Sequence, residues 1–168
     1  MNIKNFEFKA RVTALASYEN KLLQLNPVFK GEDHQIDTYF NVPTGRLKLR
    51  EGNIENALIN YNRENLQDSK LSDIILYQHS PSAALKNILT LQLGVKKIVD
   101  KKRKIYFIGN VKFHFDTIEN LGTFIEVEAI DTDNSFSIEE LKEQCNKYFS
   151  YFELKEADLV AESYSDLV

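Results

Sequence analysis

The stretch from Asp100 to Glu128, DKKRKIYFIGNVKFHFDTIENLGTFIEVE, decides how the rest of the chain is read. It predicts three consecutive strands: one through KIYFIG, a reversal at Gly109-Asn110, a return through VKFHFDTI, and, after a turn at Asn120-Leu121-Gly122, a third through TFIEVEAI. Strand side chains alternate between faces, so Phe124, Glu126 and Glu128 point one way and Ile125, Val127 and Ala129 the other. Lys101 and Arg103 repeat that spacing on the first strand, and Lys112, His114 and Asp116 share one face of the second. Two patterns fit. Either one face of an antiparallel sheet meets water, which is the default, or a curved sheet packs its apolar face under helices and lines a wet, charged cavity with the other.

Outward from this stretch, the same design recurs. Residues 2–12 alternate, with Phe6, Phe8, Ala10 and Val12 on one face and Asn5, Glu7, Lys9 and Arg11 on the other. A helix is predicted over 14–25, stopped by Asn26-Pro27, then a strand over HQIDTYFNV (34–42) and, past Pro43-Thr44-Gly45, another over RLKLRE (46–51). Arg46, Lys48 and Arg50 share one face of that strand, and three cations in a row call for anions opposite them. ALINYNRE groups Ile59, Tyr61 and Arg63, DIILYQH is a fifth strand, and Pro81 opens a helix that Gly94 closes. A helix with a capping box at Ser135 or Ser137 covers 137–152, and a last helical stretch covers 156–168. At least four strands thus carry an apolar back and an ionisable front bearing both signs of charge. A closed barrel with a polar interior explains that repetition better than independent solvated faces. The predicted fold class is α+β: an eight-stranded antiparallel β-barrel with helices packed outside.

Composition sets the bounds. The chain has 168 residues, 43% hydrophobic and 27% charged, enough for a real core. The N-terminal MNIKNFEFKARV reads as a strand rather than an export signal, and no run approaches a membrane span, so no membrane partner is expected. Cys145 is the single cysteine, which together with the missing export signal favours the cytoplasm. A net charge of −4 argues against nucleic acid as partner, while basic clusters at 46–50 and 96–104 suggest a local anionic ligand.

Glu7-x-Lys9, Asp37-Thr38-Tyr39-Phe40, Leu47-Lys48-Leu49-Arg50-Glu51, Lys101-x-Arg103, Asp116 with Leu121-Gly122-x-Phe124-x-Glu126-x-Glu128, and Ser163-Tyr164 stand in this order. The ordered set resembles the CYTH family, the triphosphate tunnel metalloenzymes, and most closely their small bacterial class IV adenylate cyclases. The resemblance spans nearly the whole chain, so 1–168 is expected to be one CYTH-like domain. It implies a small-molecule triphosphate substrate such as ATP, Mg²⁺ or Mn²⁺ as cofactor, and a possible homodimer. Carried over residue by residue, Glu7, Asp116, Glu126 and Glu128 fall on metal positions, Glu7, Lys9, Lys101 and Arg103 on catalytic ones, and Arg11, Lys48, Arg50 and Arg63 on the phosphate chain. The chain departs from the family pattern at Asn5, where the first acid is expected, at Arg63, where many relatives have Lys, and at Glu162, where a basic residue often precedes Ser-Tyr. The last departure predicts no closing contact from the tail to the phosphates. Three functions follow: cyclisation of ATP to cyclic AMP and pyrophosphate, hydrolysis of inorganic or thiamine triphosphate, or binding of such ligands without catalysis. His114 reads as a hydrogen-bonded lining residue, with metal ligand or general base as the alternative, and Asp37 as a residue ordering its strand.

Overall fold

The computed structural model describes residues 2–62 and 70–168. Its strands are β1 (Asn2–Val12), β2 (Val28–Phe40), β3 (Arg46–Glu51), β4 (Ala57–Asn62), β5 (Lys70–Gln78), β6 (Val95–Ile108), β7 (Val111–Ile118) and β8 (Gly122–Asp131). They close into a barrel in the order β1-β5-β4-β3-β2-β6-β7-β8, antiparallel throughout. Strand β1 is the seam, pairing with β5 on one edge and β8 on the other. Closure leaves no open edge and gives each strand an inside and an outside. Helices α1 (Leu15–Leu23), α2 (Ala83–Leu93), α3 (Ile138–Tyr151) and α4 (Tyr164–Leu167) complete the fold.

The apolar backs of β1, β7 and β8 face outward. Phe6, Phe8, Phe113, Phe115, Ile125 and Val127 pack there beneath Leu22 of α1 and Leu141, Cys145 and Tyr148 of α3. Phe113 stacks edge-on against Tyr148 at 4.7 Å. Each fully buried side chain of this size stabilises the fold by roughly 1.5–3 kcal/mol, so the apolar layer that pins the helices also forces the charged residues to the other face. Ser137 accepts from the Glu140 amide while the Glu140 carboxylate accepts from the Ser137 amide, the expected capping box. Gly94 closes α2 with φ +72, a conformation that costs glycine little. Cys145 is fully buried, donates to the Phe6 carbonyl, and burial pushes its thiol up to about 12.

Two expectations about element boundaries are corrected. Strand β2 begins at Val28 rather than His34 and ends at Phe40, because β2 and β6 pair along almost their whole lengths, from Val28 opposite Phe107 to Phe40 opposite Val95. A backbone ladder of that length satisfies residues 28–33 without apolar alternation in the sequence. The predicted helix over 156–168 is instead a 3₁₀ turn at Glu156–Asp158, an extended segment and the short α4. Leu159 bridges to Ala10 and the Val160 amide donates to the Lys9 carbonyl, so β1 offers the tail the backbone partners a helix would have supplied. No helix among the described residues is long and apolar enough to cross a membrane.

Candidate active site

The barrel encloses a cavity of about 600 Å³. Its charged wall has two lobes. In the first, Asp37 of β2 is fully buried and meets three cations. Arg50, opposite it on β3, donates through Nε at 2.8 Å and through a second nitrogen at 2.9 Å; Lys48 reaches it at 2.9 Å and Lys101 from β6 at 2.8 Å. Burial pushes the Asp37 carboxyl up, but Arg50, Lys101 and Lys48 outweigh it and hold the group well below its usual range. Burial lowers the Lys101 ammonium; Asp37 opposes this, and the nearby Arg103, Arg50 and Lys48 charges carry it well below its usual value. Asp37, together with Glu55, which bonds Arg50 at 3.2 Å but is shared with Lys112, leaves basic groups in excess here, so this lobe is poised for an anion.

The second lobe is acidic. Glu7 of β1 lies opposite Glu128 of β8, Glu126 is two residues along, and His114 of β7 is opposite Glu126. Arg103 joins the lobes. It grips Asp116 through Nε at 2.6 Å and a second nitrogen at 2.5 Å, and reaches Glu126 at 2.6 Å. Lys9 approaches Glu126 at 3.6 Å. Burial pushes the Glu126 carboxyl up, but Arg103, the His114 hydrogen bond and Lys9 keep it well below its ordinary value. Glu128 differs: burial, and then the Glu7 carboxylate, push it up to about 7. His114 is driven down to about 3, first by burial and then by Arg103 and Lys112, so its ring is neutral. Its Nδ1 lies 3.2 Å from Glu126 and 3.5 Å from Glu128. Donor atoms of His114, Glu126 and Glu128 all lie within 4.8 Å of one another. Two carboxylates and a neutral imidazole, with a negative charge too poorly compensated for Glu128 to ionise readily, make a donor set that fits a divalent cation.

A family model described as the CYTH domain matches residues 4–164. The chain belongs to the CYTH family. Across 169 residues it is 25% identical to adenylate cyclase CyaB of Aeromonas hydrophila, covering 96% of this chain and 86% of the relative. Among solved structures, the PH1012 protein of Pyrococcus horikoshii is 25% identical with a TM-score of 0.81, covering 98% of this chain and 99% of its own. HpAC1 from Hippeastrum, an adenylyl cyclase candidate with a dominant triphosphatase activity, is 11% identical with a TM-score of 0.61 over 92% of this chain and 89% of its own.

Within this CYTH barrel, Glu7, Lys9, Lys48, Arg50, Lys101, Arg103, Glu126 and Glu128 all line the cavity. Two site expectations come out otherwise, and a third lies beyond what the structure describes. Arg11, expected on the phosphate chain, is exposed at the rim, where it donates to the Leu121 carbonyl and covers the Phe124 ring at 4.7 Å. Asp116, expected among the metal ligands, is fully buried behind Arg103, with the Tyr164 hydroxyl as a further donor at 2.7 Å. It positions the guanidinium rather than facing the cavity. Arg63 lies outside the described residues.

The tail reaches the same wall. Tyr164 of α4 is buried at the cavity wall, with the Lys9 ammonium over its ring at 4.1 Å, and the Glu162 carbonyl accepts from Lys9 at 2.9 Å. The Glu162 side chain plays no part in these contacts; its backbone does. Sequence reasoning missed Glu55, which bonds Arg50 at 3.2 Å and pairs with Lys112. Glu55 lies between strands, and the Asp33 carboxylate brings it in by accepting from the Ile54 and Glu55 amides, each at 2.9 Å. A Cβ on Gly52 would stand 2.6 Å from that carboxylate, so only glycine permits the approach. The available signal was Asp33-x-Gln35-x-Asp37, a polar alternation continuing inward from Asp37.

Proposed function

We propose that this CYTH chain is a metal-dependent enzyme acting on a triphosphate, and that its reaction is the cyclisation of ATP to cyclic AMP and pyrophosphate. The observation that carries this is the separation of charge in the cavity: three cations on Asp37 in one lobe, and Glu7, Glu126 and Glu128 in the other. A polyphosphate needs both, cations for its own oxygens and carboxylates for the counter-cation it carries. Lys48, Arg50 and Lys101 bind the phosphate chain, and Lys9 and Arg103 reach it from the border between lobes. Mg²⁺ or Mn²⁺ held by Glu126 and Glu128, with Glu7 and His114 beside them, supplies electrophilic stabilisation of phosphate charge when bound. The fixed cations stabilise charge developing on the non-bridging and leaving oxygens as the ribose 3′-hydroxyl displaces pyrophosphate from the α-phosphorus. The similarity to CyaB of Aeromonas hydrophila favours this reaction over the other family chemistry.

Hydrolysis of a triphosphate would use the same lining, with water attacking the terminal phosphorus; the dominant triphosphatase activity of the Hippeastrum protein is what supports this second reading. The test offers ATP, inorganic triphosphate and thiamine triphosphate separately, with Mg²⁺ or Mn²⁺, and measures cyclic AMP, pyrophosphate and phosphate. Cyclic AMP with pyrophosphate is expected. Phosphate without cyclic AMP, accompanied by pyrophosphate when inorganic triphosphate is the substrate, would replace cyclisation by hydrolysis, and binding with no product would remove the enzymatic reading.

A further inference from the structure

The two charged lobes leave one side of the cavity unexplained. Opposite them, Ile59 and Tyr61 of β4 and Ile74 and Leu76 of β5 line an apolar wall, with Ile3 of β1 next to Ile74. At its margin Asn5 and Ser72 stand opposite each other in the β1–β5 register. Both line the cavity, only 1% and 3% exposed, and neither Asn5 Oδ1 nor Ser72 Oγ has a hydrogen-bond partner among the described residues. The Asn5 amide nitrogen is turned toward Glu7 at 3.4 Å, which leaves the carbonyl oxygen as the orphan. Buried polar atoms are rarely left unpaired, and these two border a space rather than packed side chains.

The chemistry of a ligand for this wall follows. Asn5 Oδ1 can accept a hydrogen bond or ligate a hard cation; an ionised triphosphate brings no donor to it, and a bare phosphate chain gains nothing from isoleucine and leucine. A planar ring with apolar faces and an edge carrying both N–H and acceptor atoms satisfies the wall and both orphans. The ring should be neutral, because the Lys48 ammonium already lies 5.7 Å from the centre of the Tyr61 ring. A cavity of about 600 Å³ falls within the range of sites for whole cofactors and drug-sized ligands.

We propose that the β4–β5 wall seats the neutral base of a nucleoside triphosphate, with Asn5 and Ser72 reading the base edge. The proposal rests on the reading of the opposite lobes as the phosphate site. Asn5, which stands where the family resemblance expects an acid, thereby becomes a specificity residue. A site built around polar atoms that only the right ligand satisfies discriminates strongly against ligands lacking the matching group.

The test is calorimetric titration of the whole chain with ATP, inorganic triphosphate and thiamine triphosphate, with Ca²⁺ as the hard cation, in wild type, Ser72→Ala and Asn5→Leu. Wild type should bind ATP at least about tenfold more tightly than triphosphate, and each variant should lose about five- to tenfold for ATP while triphosphate affinity stays within about twofold. Retained triphosphate binding also reports that the variants are folded. Equal wild-type affinity for ATP and triphosphate would overturn the base seat while leaving the phosphate site standing. Parallel losses for both ligands in Ser72→Ala, whose small change leaves the wall intact, would overturn it too. Thiamine triphosphate binding more tightly than ATP would assign the wall to a cationic ring and refute the neutral base. If wild type binds none of the three, the phosphate-site reading itself fails.

Discussion

The two sides of the cavity are built by the same rule and filled with opposite chemistry. Strands β3, β6, β7 and β8 line it with Arg50, Lys101, Arg103, Lys112 and Glu126, while β4 and β5 send in Ile59, Tyr61, Ile74 and Leu76. On the charged side the ionised groups are committed to one another, Asp37 to three cations, Arg103 to two carboxylates, Glu55 to Arg50 and Lys112, although His114 Nε2 and Gln35 Oε1 lack partners among the described residues. On the apolar side the polar atoms are few and two are orphaned. A barrel interior need not be uniform, and the asymmetry orients a ligand that is charged at one end and flat at the other.

The contrast is most sharply broken by removing the group that joins the lobes. Arg103→Ala leaves Asp116 and Glu126 buried without their main counter-ion, and should destabilise the fold by about 3–5 kcal/mol in urea titrations. A loss comparable to that of an exposed pair would mean that the charged wall is not held together by pairing. Glu126→Gln keeps the shape of the acidic lobe but removes one of its three carboxylates, and should lower metal-dependent turnover by more than about tenfold. Unchanged turnover would take Glu126 out of the metal site.

Next comes a pair of neighbours on opposite faces of β6. Lys101→Ala should weaken triphosphate binding about tenfold, whereas Lys102→Ala, whose side chain is exposed on the outer face, should change it less than about twofold. Equal effects would sink the inside–outside assignment.

The smallest effect concerns pH. Glu128 is raised from its ordinary 4.5 to about 7. A carboxyl raised in this way gives its full contribution to stability below the unfolded value and loses it as pH climbs through the folded one. Without added metal, the melting temperature of Glu128→Gln relative to wild type should therefore rise between about pH 4.5 and 7 and level off above, because only wild type must bury the charge. A constant offset across that range would show that neither burial nor the Glu7 carboxylate raises Glu128.

Much of this was legible in the chain because alternation is a local property. Once Phe6, Phe8, Phe113 and Val127 are assigned to an apolar layer, Glu7, Lys9, Lys112 and Glu126 must point the other way, wherever the strands end up. The lost details are those in which local pattern and three-dimensional neighbourhood diverge. Arg11 has the right parity but lies far enough along β1 to reach the rim, and Asp116 has the right parity but is shielded by Arg103. Glu55 obeys no strand parity, being placed by the grip of Asp33 on a loop. The tail took its conformation from backbone pairing with Lys9 and Ala10 of β1, not from its own helical spacing.

From the sequence alone came the number and polarity of the strands, the family, and which side chains share a face, because each depends on spacing within one segment. Which charge meets which was decided only in the closed barrel. Lys101 and Asp37 are 64 residues apart, and Tyr164 and Asp116 are 48 apart. Such contacts depend on the registers of strands brought together by closure, and no local periodicity encodes a register between segments so distant.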